Sequence, residues 1–129
     1  VDRKDISKRV RKYRVATLSR IACRIGLMPA HPTFYCKKKL FDTYGKFRDD
    51  PLLAPDFELM VRFLVKGNIK TVLIPKVLVL MRNEGLGNST LKYRILRYKR
   101  QVRSCKANGL WTNILLMYLK LPYKILEYF

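Results

Sequence analysis

From Asp56 onward the apolar residues recur with a helical period: Phe57, Met60, Val61 and Leu64 fall at i, i+3, i+4 and i+7. That spacing places them on one face of an α-helix. Such a helix is stable in water only when its stripe is covered, so the rest of the chain must supply a core around it. Glu58 and Arg62 stand four apart in the order that favours an ion pair, and a structural role is expected for both. Gly67 is the expected stop. The helix opens on "APDFEL", where Asp56 reads both as an N-cap and as a candidate general base, a carboxylate held at the mouth of a cleft.

Charge is the next constraint. The chain has 129 residues, one domain's worth, with 28 Lys and Arg against 9 Asp and Glu, a net charge of +19. Because 49% of the residues are hydrophobic, the chain is not a disordered basic tail. The excess charge calls for an anionic partner: nucleic acid, phospholipid head groups or a phosphorylated substrate. Cys23, Cys36 and Cys105 form neither a CxxC pair nor a disulfide framework, so reduced thiols and a cytosolic setting are expected. With His31 the only histidine, a multi-histidine metal site within the chain is excluded. No signal peptide is read in "VDRKDISKRVRKYR", and no apolar run reaches the ~20 residues of a membrane-spanning helix.

Other segments read as short elements. Residues 1–14 suggest an edge strand or extended arm, and "VATLSRIACRIG" a helix stopped by Gly26. The prolines of "LMPAHPT" make a loop that delivers His31 to a defined place. "TFYCKK" is expected to be a strand and "KKLFDTYG" a helical turn or two. "IKTVLIPKVLVLMR", rich in β-branched residues but broken by Pro75, suggests two extended pieces near 70–74 and 77–82. Asp49 and Asp50 read as solvated turn residues. Ser89 is the expected cap of a basic helix over 90–107, closed by Asn108-Gly109. The apolar segment 110–129 is expected to break or kink at Pro122.

Four blocks in order carry a family likeness: "MPAHPTFYCKKKLFDTYGKF", "APDFELMVRFLVKG", "IPKVLVLMRNEGLGNST" and the basic-then-apolar C-terminal segments. Over roughly residues 28–129 the chain resembles the C-terminal half of a bacterial family-two glycosyltransferase with the GT-A fold, of the kind that builds cell-surface polysaccharides. The resemblance implies an α/β architecture of short strands with several helices and a helical tail. Residues 1–88 would be the acceptor-side part of the catalytic domain, and 89–129 a basic and apolar tail suited to a membrane surface. It implies inverting sugar transfer from a nucleotide-sugar donor to a glycan or lipid-linked acceptor, at the cytoplasmic face of the bacterial membrane. Asp56 would be the base, with His31, Thr33 and Arg82 near the donor diphosphate. His31 is a second candidate, as a ligand to a divalent Mg or Mn, whose main ligands are expected elsewhere.

The sequence departs from the family pattern at Lys46, Pro55, Glu84 and Gly87. The family's nucleotide-binding βαβ unit and D-x-D do not occur in the 129 residues, and the first residue is Val1. The expectation is therefore a piece of a longer enzyme, inactive when isolated. The competing expectation is a basic module without catalysis. Of its two versions, membrane docking is favoured over nucleic-acid binding, since the basic residues are dispersed and no zinc, KH or RRM signature occurs.

Overall fold

A computed structural model describes residues 18–80 and 91–125 of the chain. The elements are α1 (Arg20–Arg24), a single 3₁₀ turn at His31–Thr33, α2 (Lys38–Tyr44), α3 (Pro55–Val65), α4 (Leu91–Ala107), α5 (Ile114–Tyr118) and α6 (Lys120–Ile125). No strand occurs among the described residues, so the expected α/β GT-A architecture is not what the chain forms there.

The physical reason is legible at the segments expected to be strands. Residues 34–37 simply connect the 3₁₀ turn to α2. Around Pro75 the chain makes a tight turn, with the Lys76 N–H donating to the Ile74 carbonyl at 2.8 Å. β-Branched residues favour a strand only when a neighbouring strand is there to pair with, and none is present among the described residues. Val72, Val77 and Leu80 are accordingly exposed. The expectations for residues 1–14, Arg82, Ser89 and the turn between Pro75 and α4 beyond residue 80 lie outside the described residues.

The centre of the fold is α3. Its apolar stripe faces α1 and α4, joining Phe57, Met60, Val61 and Leu64 to Cys23, Tyr98 and Cys105 in one buried cluster. The burial goes further than one stripe: every residue from Phe57 through Leu64 is buried. Helix α2 covers another side, where Phe41 meets Phe63 edge-on at 5.4 Å and Tyr44 lies 6.2 Å from the same ring. Such T-shaped contacts add about 0.5–1.5 kcal/mol to the burial of the rings.

Residues on both sides of position 88 share this core, since Tyr98, Cys105, Leu110 and Met117 belong to it. Local signals set the helix ends. Ser19 accepts the Ala22 N–H at 3.1 Å to cap α1, and Asn113 accepts the Leu116 N–H at 2.9 Å to cap α5. Gly26, just after α1, takes φ +72°, a left-handed conformation that side chains disfavour. The break in the last segment falls at Leu119 rather than at Pro122, which sits in the first turn of α6 where its missing N–H costs no helical bond.

Candidate functional site

The start of α3 is set by backbone, not by Asp56. Ala54 is the N-cap residue, Pro55 occupies the first helical position, and the Glu58 N–H closes the first turn on the Ala54 carbonyl at 2.7 Å. The Ala54 N–H donates to Ser104 Oγ of α4 at 3.0 Å, which pins this corner to the core. Asp56 therefore stands inside the first turn and is not the cap expected from sequence. Its carboxylate still gains from the positive end of the helix dipole.

The side chain of Asp56 is 42% exposed and its Oδ2 lies 3.5 Å from His31 Nδ1. The 3₁₀ turn supplies that histidine: Thr33 N–H and Thr33 Oγ1 both donate to the Ala30 carbonyl, at 2.8 and 2.7 Å, holding the turn closed. Pro32 within it restricts the backbone further. His31 and Asp56 sit at a cleft of about 290 Å³, whose wall includes the rings of Phe34, Tyr35, Phe41 and Phe47. Cys36 completes the polar lining, its thiol pushed above the ordinary value by partial burial.

Two residues from Asp56 stands a carboxylate with the opposite fate. Glu58 is fully buried and accepts from Arg62 Nε at 3.1 Å, Arg62 Nη2 at 2.8 Å and Asn108 Nδ2 at 3.0 Å, with Arg48 Nη1 at 3.3 Å. Arg62 also donates to the carbonyls of Tyr44, Gly45 and Lys46. This guanidinium ties the chain after α2 to α3 and so fixes Phe47 at the cleft. The intrahelical pair expected from the spacing is formed, but deep inside the protein. Glu58 Oε1 meets three donors and Oε2 one, all inside the fold, so of these two carboxylates Asp56 is the one open to a ligand.

The structure separates the other sequence-predicted residues. Thr33 faces a larger apolar groove of about 530 Å³, between residues 33–37 and 69–78, which has no carboxylate or histidine in its lining. Arg82 lies outside the described residues. Asp50 accepts the Leu52 N–H at 2.8 Å, the turn role expected of it.

His31 and Asp56 furnish only two donors, and among the described residues no group of three or more His, Cys, Asp or Glu gathers. By themselves they complete no metal site among the described residues. Among the described residues, no helix is long and apolar enough to cross a membrane.

The cleft aromatics and the partners Arg48 and Asn108 were missed by sequence reasoning. Asn108 is fifty residues from Glu58, and no local pattern joins them. Comparison with family models, with curated proteins and with solved structures found no match.

Proposed function

We propose that the chain contributes the general base and acceptor cleft to inverting transfer of a sugar from a nucleotide-sugar donor to an acceptor hydroxyl. The observation that carries this reading is the His31–Asp56 pair, half-open at the mouth of an aromatic-walled cleft. Aromatic rings offer apolar faces to the C–H face of a sugar, and the carboxylate is exposed enough to meet its hydroxyl. Asp56 accepts the hydroxyl proton as the oxygen bonds to the anomeric carbon, and the nucleoside diphosphate leaves with the bonding pair. His31, at 3.5 Å, orients the carboxylate. The donor-binding part belongs to a longer protein in this reading, and the ordered blocks of family likeness in the sequence support it.

The test is sugar transfer by the protein of the complete coding frame, assayed with a panel of nucleoside diphosphate sugars. Removing a general base costs on the order of 10²–10⁴ in rate, so Asp56→Asn should lose at least about a hundredfold. Because Asp56 caps nothing, the variant should keep its circular dichroism and lose only the dipole contribution of about 0.3–1 kcal/mol in stability. Near-normal turnover of the variant would show that Asp56 is not the base. The isolated 129-residue chain is expected to show no turnover.

A further inference from the structure

The cleft beside Asp56 is small, and one ring in its wall is held in an unusual way. At about 290 Å³ the cleft lies at the lower end of ligand pockets, with room for one sugar unit rather than a chain of them. Of the four aromatic side chains in its wall, Phe34 and Phe41 are partly buried, whereas Tyr35 and Phe47 are 73% and 56% exposed. Tyr35 also borders the larger groove, while Phe47 borders the cleft and not the groove.

A half-exposed phenyl ring forgoes part of the burial that stabilises phenylalanine, yet the chain on both sides of Phe47 is clamped. On one side the Lys46 carbonyl accepts from Arg62 Nη2 at 2.8 Å and the Gly45 carbonyl from Arg62 Nη1 at 2.9 Å. On the other side Arg48 Nη1 lies 3.3 Å from Glu58 Oε1. Arg62 grips the same carboxylate, so both neighbours of Phe47 are tied to one buried group. Gly45 permits the approach: its φ is +87°, and a Cβ there would stand 3.0 Å from Arg62 Nη1. The Phe47 ring leans on Phe41, with centroids 6.3 Å apart and planes tilted by 44°, and Phe41 is backed edge-on by Phe63 of α3. A fixed ring with an open face is pre-organised for a ligand, because little side-chain freedom is left to lose on binding.

We infer that Phe47 is the ring on which the acceptor sugar stacks, and that Arg48, acting through Glu58, is the residue that positions it. The inference rests on the sugar-transfer reading and adds to it the side chain that selects the acceptor. A pyranose presents an apolar C–H face and a rim of hydroxyls. The face meets Phe47, and a rim hydroxyl reaches Asp56 on the same cleft. Arg48 holds the chain that carries the ring, so its effect on the sugar passes through Phe47.

The test uses the 129-residue chain and saturation-transfer NMR with the methyl glycosides of glucose, galactose, mannose and N-acetylglucosamine as probes. At least one should bind. Phe47→Leu should weaken that binding by about two- to tenfold, and Phe47→Tyr, which keeps the ring, should not. Arg48→Met should weaken the same glycoside by a similar factor, and Arg48→Lys, which keeps a cation for Glu58, should recover most of the loss. Circular dichroism checks that each variant keeps its helices. A Phe47 that only supports the fold would lower the melting temperature and leave the affinity unchanged, and that result would overturn the proposal. So would the absence of binding to every glycoside at millimolar concentration, or an Arg48→Met variant that binds as the parent does. In the complete enzyme Phe47→Leu should raise the acceptor KM with kcat little changed. Binding that depends on Phe47, together with turnover indifferent to Asp56→Asn, would keep Phe47 as the sugar platform and remove Asp56 as the base.

Discussion

The Arg62 side chain sets up the sharpest stability experiment. It is 3% exposed and makes two hydrogen bonds to the fully buried Glu58 and three more to the carbonyls of Tyr44, Gly45 and Lys46. Arg62→Met keeps the packing volume but leaves Glu58 with Asn108 and the partly exposed Arg48 as its remaining partners. Removing one member of a buried ion pair typically costs about 3–5 kcal/mol, because the other charge stays desolvated. The three carbonyls belong to partly exposed or exposed residues, where water takes over part of the role, so the lower half of that range applies to the sum. A domain is stable by only about 5–15 kcal/mol, so the variant should lose a large fraction of its stability.

Urea unfolding followed by Trp111 fluorescence and far-UV circular dichroism measures the loss. A conservative Arg62→Lys should recover little, since one ammonium cannot serve Glu58 and three carbonyls at once. The double variant Glu58→Leu with Arg62→Met removes the stranded charge and should be more stable than Arg62→Met alone. A loss below about 1 kcal/mol for Arg62→Met, or a double variant worse than the sum of the two singles, would show that the pair is not the clamp described above.

Three further outcomes follow from the buried thiols and from Gly26. Burial holds the Cys23 and Cys105 thiols protonated, with pKa values raised from 9.0 to about 12, so iodoacetamide should label Cys36 in the native protein and all three cysteines only after unfolding, as read by mass spectrometry. Since the folded state binds those two protons more tightly than the unfolded chain, their contribution to stability is whole below pH 9 and declines as pH rises toward about 12. A melting temperature flat across that interval would contradict it. Gly26→Ala should lose about 1–2 kcal/mol from the left-handed backbone alone. The added Cβ would also stand 2.6 Å from Met117 Sδ and 2.9 Å from Lys120 Nζ, so calorimetry should show a loss at or above that range.

The long periodic elements were legible in the sequence: α3 and the basic helix α4 lie where the spacing of apolar residues put them. The β-branched run around Pro75 was not, because a strand is a pairwise structure and the propensity of Val72 or Val77 says nothing about whether a partner strand is present. The misplaced cap at Asp56 had a readable signal in Pro55, whose preference for the first helical position makes Ala54 the residue before the helix. Nothing in the spacing of Glu58 and Arg62 revealed that they are buried, since ion pairs at that spacing are usually solvated. The approach of His31 to Asp56 across twenty-four intervening residues is a tertiary fact that neither the periodicity nor the order of the blocks foretold.

The burial pattern of α4 divides it into two mechanical halves. All of its buried residues, Tyr98, Gln101, Ser104 and Cys105, lie in its second part. The turns before Tyr98 expose Leu91 and Tyr93 and place Lys92, Arg94 and Arg97 toward the positive end of the helix dipole, with no acidic residue in the first turn. Those turns are held by helix propensity against unfavourable electrostatics, while the later ones are held by the core. Their amides should exchange with solvent through local fraying well before those of residues 98–107, which open only with the molecule as a whole. Any anion settling near the helix start would slow that exchange and extend the rigid rod toward its beginning.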